Sequence, residues 1–304
     1  MKITSNIRHE KAELLTYFRK KVNTKIAELN KEFAAVDYKM KAAEINKFLT
    51  AERDALISQV EVRSKMENWP TKTLLESILM INYTNFVVML ESRNQVWAYD
   101  YMAFSRRIGE LWEPFCKLCF EYPINDVTLY EPPLFADVKK KQIEEFSLTI
   151  KELPLDANVK KNILEKYNRL WSIITSGEID LTSDLHFAYQ GTRYVVDFKS
   201  GFGSNEKGNT NRLLMVGEVY QILQSNYKCL IFVRSNENNH YLQTLQNSGI
   251  WDTSTGANTY RKIQEFTGYD IEKWINSNID WLHDLEPAMV AHIERNKLGK
   301  YLIW

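Results

Sequence analysis

Three residues in the middle of the chain have the types and spacing to do phosphoryl chemistry. They are Asp184, Asp197 and Lys199, within the run Ser183-Asp184-Leu185-His186-Phe187-Ala188-Tyr189-Gln190-Gly191-Thr192 and on to Asp197-Phe198-Lys199. Gln190-Gly191 suits a two-residue hairpin turn, with glycine supplying a positive φ. Tyr189 then faces Thr192, and five residues further out on each arm Asp184 faces Asp197. Directly opposed residues hold their Cβ atoms about 5 Å apart. Lys199, two residues beyond Asp197, projects from the same face. Two carboxylates that close repel, and each raises the other's pKa. A hard divalent cation removes that conflict, because it takes oxygen ligands. A lysine beside such a cation orients or deprotonates a water for in-line attack on phosphorus. A one-residue slip in register would destroy the arrangement. Taken alone, Asp-x-Lys is common on strands, and Asp184 is equally suited to a turn or a cap.

The elements around these residues can be read from periodicity. Asn158 to Ile174 predicts an amphipathic helix, with Val159, Ile163, Tyr167, Leu170 and Trp171 on one face, stopped by Gly177. Ile179–Tyr189 and Tyr194–Phe198 read as strands, Asn211–Gln224 as a helix, and Lys228–Val233 as a short apolar strand. The crossover from Phe198 through that helix to Lys228 makes the two strands parallel. Residues 201–212 are small and polar and read as a surface loop. Upstream, residues 8–64 hold neither proline nor glycine and carry apolar residues at helical spacing. Met66–Pro70 breaks the pattern, Thr71 restarts it, and Pro123, Pro132 and Pro133 end it. Lys139–Lys151 reads as a short helix, residues 251–260 as a polar loop, and the rest of 240–304 as mostly helical. The expected fold class is mixed α/β, with a helical region over 1–135 and an α/β core with C-terminal helices over 136–304.

On these residues the chain resembles the PD-(D/E)xK nuclease superfamily, most of all its type II restriction endonucleases. Ser183-Asp184 stands for the Pro-Asp element, with serine in place of proline, and Asp197-Phe198-Lys199 for the (D/E)xK element. The resemblance covers residues 158–233, about a quarter of the chain. It implies a restriction-endonuclease-like core, a mixed β-sheet flanked by helices. It also implies that Asp184, Asp197 and the Phe198 carbonyl bind Mg²⁺ and that Lys199 positions the attacking water. A further acid often comes from the preceding helix, here Glu165, with Glu178 second; a solvated helix charge is the commoner fate of either. Gln221 is a weaker accessory candidate. Asn205, Lys207, Asn209 and Arg212, in the polar run after Lys199, are the expected contacts to phosphates and base edges.

Composition bounds the rest. The 304 residues carry 39 Lys+Arg against 39 Asp+Glu, which excludes a strongly basic coat protein but not a local basic groove. With 44% hydrophobic residues, 11 glycines and 7 prolines, disorder is not expected. Three cysteines argue against a disulfide framework. Cys116 and Cys119 form a lone CxxC without a second pair, so a buried apolar pair is expected rather than zinc. His186 is expected to be structural. No apolar run is read as reaching the roughly 18 residues of a membrane helix, and Met1–Glu10 is polar, so the expected location is cytoplasmic. The expected function is Mg²⁺-dependent, sequence-specific hydrolysis of double-stranded DNA by a homodimer, with no organic cofactor and no membrane. The alternatives are a repair, recombination or phage nuclease of the same fold, or a non-enzymatic helical DNA- or protein-binding protein.

Overall fold

A computed structural model describes residues 3–175, 180–203, 206–223 and 226–304. Among these, twelve α-helices and five strands follow in the order α1 (Lys11–Glu32), α2 (Tyr38–Glu67), α3 (Thr71–Val96), α4 (Tyr101–Glu121), β1 (Val127–Leu129), α5 (Phe135–Glu152), α6 (Ala157–Thr175), β2 (Leu185–Tyr189), β3 (Thr192–Lys199), α7 (Lys207–Leu223), β4 (Tyr227–Val233), α8 (His240–Asn247), β5 (Trp251–Thr255), α9 (Ala257–Thr267), α10 (Ile271–Asn278), α11 (Trp281–Asp284) and α12 (Pro287–Arg295). The mixed α/β class is as expected.

The chain divides into two compact units. One comprises residues 1–126 and 256–304, the other 127–255. The first is helical and built around α3. This helix is apolar on nearly every side and buried from Ser77 to Arg93. It holds an 18-residue window apolar enough to cross a membrane, contrary to the reading that no run reaches that length, and 89% of the window is buried inside the protein. Several of its polar side chains donate to backbone carbonyls, within the helix or on α2. Ser77 and Ser92 donate to the carbonyls of Thr73 and Val88, and Asn85 donates to Leu49. Cys116 and Cys119 are both fully buried on α4, as expected.

The expectation that 256–304 belongs with the α/β core is corrected. The Trp112 indole donates to the Tyr260 hydroxyl at 2.9 Å, Trp274 packs on Phe115, and Lys11 pairs with Asp284 at 2.9 Å. Aromatic packing and a half-buried charge pair therefore bind the C-terminal helices to the first 126 residues, a long-range preference that no local pattern displays.

The second unit is a five-stranded sheet of order β1-β2-β3-β4-β5. β1–β2 and β2–β3 are antiparallel, while β3–β4 and β4–β5 are parallel. β1 lies where the prolines predict only loop, because its three residues pair with β2. Residues 251–255, expected as loop, form β5. Its polar side chains obscure it in the sequence, but the buried Trp251 indole donates to the Leu213 carbonyl at 2.9 Å and pins the strand under α7. β2 is shorter than predicted, and α7 begins four residues earlier. The helix start at Lys207 follows from the Thr210 N–H donating to the Glu206 carbonyl at 2.8 Å. The core on one face of the sheet gathers Val195, Ile231 and Val233 from β3 and β4 against Leu213, Val216 and Tyr220 from α7. Phe202, inside the predicted polar loop, is buried in that core, and Asn238 accepts its N–H at 2.9 Å.

The β2–β3 register is the predicted one: Tyr189 pairs with Thr192 and Leu185 with Val196. Both turn residues have positive φ, 50° at Gln190 and 75° at Gly191. That is the type I′ pattern, which asparagine enters at less cost than glutamine. Gln190→Asn is expected to raise stability by about 0.5 kcal/mol, measured as a higher urea midpoint at unchanged slope.

Candidate active site

Asp197 lies near the carboxyl end of β3, where β3 runs parallel to β4, and Lys199 is the last residue of that strand. In open α/β sheets this end of the strands is where ligands bind. Val195 on the same face packs into the core beneath α7, so the alternation of the strand aims Asp197 toward that helix. The Asp197 side chain is 1% exposed. A buried carboxylate is costly unless it is paired. Here Lys199 Nζ pairs with Oδ2 and Arg212 Nη2 donates to Oδ1 at 3.0 Å. Lys199 Nζ also donates to the Phe198 carbonyl at 3.1 Å.

Asp184 precedes β2 by one residue. The Phe198 N–H donates to its Oδ2 at 2.6 Å, which ties the two arms of the hairpin at the site. Burial pushes the Asp197 carboxyl above the usual carboxylate range. The Asp184 charge adds to that push, while Lys199 and Arg212 oppose it. The structure thus brings Asp184, Asp197, Phe198 and Lys199 together as the spacing predicts.

It places other candidates differently. Glu165 lies on α6 with a side chain 67% exposed, pairing with Lys161 at 3.9 Å, and no interaction draws it to the aspartates. It behaves as a solvated helix charge. Glu178 and Asn205 lie outside the described residues. Lys207, Asn209 and Arg212 occupy the first turns of α7 rather than a loop. Lys207 is exposed, and Asn209 bridges Glu206 at 2.9 Å and Arg212 at 3.3 Å. Gln221 is exposed near the far end of the same helix. His186 is structural, as expected: its Nε2 accepts the Ser183 N–H at 2.9 Å, and its ring packs beside Tyr130 and Tyr220.

Two features escape the sequence pattern. Arg212 is a partner of the central carboxylate. Its reach to Asp197 depends on the phase of a helix that begins at Lys207. Asp180 is the second. Its carboxyl lies below the usual range, first because it accepts the Thr182 N–H at 2.9 Å, with the Arg212 charge adding to the effect. An acidic residue shortly before a Ser-Asp pair is the only sequence signal of it.

Among the described residues, no group of three or more His, Cys, Asp or Glu side chains clusters as a metal site. The oxygens at hand are the Asp184 and Asp197 carboxylates and the Phe198 carbonyl. These are hard donors of the kind Mg²⁺ accepts, and the mutual repulsion of the carboxylates is what such an ion relieves. The donor chemistry therefore fits, with Arg212 and Lys199 as the cations now facing Asp197. Compared with known protein families, curated proteins and solved structures, the chain matches none.

Proposed function

We propose that the chain is a metal-dependent endodeoxyribonuclease with a PD-(D/E)xK core, acting as a type II restriction endonuclease on double-stranded DNA. The observation that carries this reading is the convergence of Asp184, Asp197 and Lys199 on one end of the sheet. The sheet order supports a restriction-endonuclease-like core: an antiparallel hairpin carries the acids, and a helical crossover leads to a parallel strand.

In this reading Asp184, Asp197 and the Phe198 carbonyl hold Mg²⁺. The bound ion would neutralise charge on the scissile phosphate and make a water more acidic. Lys199, fixed by Asp197 and the Phe198 carbonyl, orients the attacking water in line with the 3′-oxygen that leaves. Hydrolysis then yields a 5′-phosphate. Lys207 and Asn209, on the opening turns of α7, face the nucleic acid. Cutting both strands at a palindromic site takes two copies related by a two-fold axis. Cleavage of incoming DNA beside a host methyltransferase would place the protein in the cytoplasm.

The test is a gel of phage DNA incubated with the protein in Mg²⁺ and in EDTA. Discrete fragments only in Mg²⁺ are the expected result. A smear moves the function to repair or recombination on the same fold. A second reading, a non-enzymatic binding protein, is favoured by the ion pairs that take up both oxygens of Asp197. It predicts intact DNA with every divalent metal.

A further inference from the structure

We infer that Arg212 competes with a divalent cation for the Asp197 carboxylate, so that metal loading releases the Arg212 guanidinium toward a substrate phosphate. The inference rests on the proposed nuclease reading and adds a coupling between its two ligands.

The geometry supplies the competition. Arg212 Nη2 lies 3.0 Å from Asp197 Oδ1, and Lys199 Nζ lies on Oδ2. A divalent ion binding an oxygen at about 2.1 Å takes the space and the lone pair that the guanidinium now uses. Charge gives the same answer. Asp180, Asp184 and Asp197 face Lys199 and Arg212, so an added divalent ion turns a net negative cluster net positive unless a cation departs.

The two cations differ in their freedom to depart. Lys199 sits on the same strand as Asp197, is 17% exposed, and is held by the Phe198 carbonyl as well. Arg212 reaches in from α7, is 40% exposed, and among the described residues its other hydrogen bonds go to Asn209 Oδ1, at 3.3 Å from both Nε and Nη2. Arg212 is therefore the one that yields. Its guanidinium matches two phosphate oxygens at once, and the positive start of α7 with exposed Lys207 lies one to two turns away. Anion and metal would each favour the other's binding, because each removes an obstacle to the other.

The experiment is calorimetric titration of Mn²⁺ into the full-length wild type, Arg212→Gln, Arg212→Lys and Asp197→Asn, with no DNA present. Losing the competing ion pair, whose arginine is 40% exposed, is expected to tighten Mn²⁺ binding by roughly fivefold or more in Arg212→Gln. Arg212→Lys, with one donor head, is expected to fall between it and the wild type. Binding that appears only in Arg212→Gln supports the inference equally. Mn²⁺ affinity in Arg212→Gln equal to or weaker than wild type overturns it. If Asp197→Asn nonetheless abolishes binding, the nuclease reading survives that failure. If Asp197→Asn binds as well as wild type, or no variant binds, both fall. Should Arg212→Gln not fold, an affinity in Arg212→Lys no tighter than wild type overturns the inference on its own.

Discussion

Asp197→Asn is expected to abolish Mg²⁺-dependent DNA cleavage, by on the order of 10³-fold or more, because a lost metal carboxylate forfeits several kcal/mol of transition-state stabilisation. The fold is expected to survive. Asparagine keeps the size and one acceptor oxygen of the side chain while removing a charge that is 1% exposed and repelled by Asp184. Lys199 and Arg212 remain partly in contact with water and need no buried partner. Single-turnover cleavage of an end-labelled duplex gives the rate, and near-UV circular dichroism checks the fold. Cleavage within tenfold of wild type would remove Asp197 from the mechanism. A loss of cleavage together with a loss of near-UV signal would assign it to stability.

Gly217→Val is the second large effect, and it acts on the scaffold. A Cβ at Gly217 would lie 2.4 Å from Ile250 Cγ2 and 2.7 Å from Trp251 Nε1. That indole nitrogen already donates to the Leu213 carbonyl one turn earlier on α7. The helix backbone therefore rests directly on the start of β5, and only glycine permits this approach. Overpacking of this kind costs about 3 kcal/mol or more for a β-branched side chain. Gly208, on the first turn of the same helix, has open space where a Cβ would point, with no atom within 4 Å. Gly208→Ala is expected to stabilise by up to about 1 kcal/mol through helix propensity. Urea denaturation of both variants separates close packing from propensity. Equal and small effects would show that α7 does not depend on contact with Trp251.

The hairpin was legible because its turn chemistry and alternation agree. Gln190-Gly191 sets the register, the register sets the facing of Asp184 and Asp197, and the pleat sets Lys199. The parallel pairing of β3 with β4 was legible because a predicted helix separates two apolar runs. For Glu165, a metal ligand and a solvated helix glutamate look alike in sequence, and its exposure and pairing with Lys161 fit the second. β1 and β5 were hidden because each is stabilised from outside itself, β1 by pairing with β2 and β5 by one buried tryptophan under α7. The membership of 256–304 in the helical unit depends on contacts such as Trp112 with Tyr260, separated by 148 residues. Arg212 reads in sequence as a phosphate contact at the end of a polar run, and its bond to Asp197 appears only when α7 is packed on the sheet.

The most direct test of the central claim compares wild type with Lys199→Ala on a plasmid carrying phage DNA, in Mg²⁺, with 5′ ends of the products identified by labelling. Wild type is expected to leave 5′-phosphate ends. Lys199→Ala is expected to cut at a rate lower by roughly 10²- to 10⁴-fold, the contribution of a group that positions or takes the proton of the attacking water. Wild-type protein that leaves the DNA intact in Mg²⁺, Mn²⁺ and Co²⁺, or Lys199→Ala that cuts at the wild-type rate, would contradict that claim.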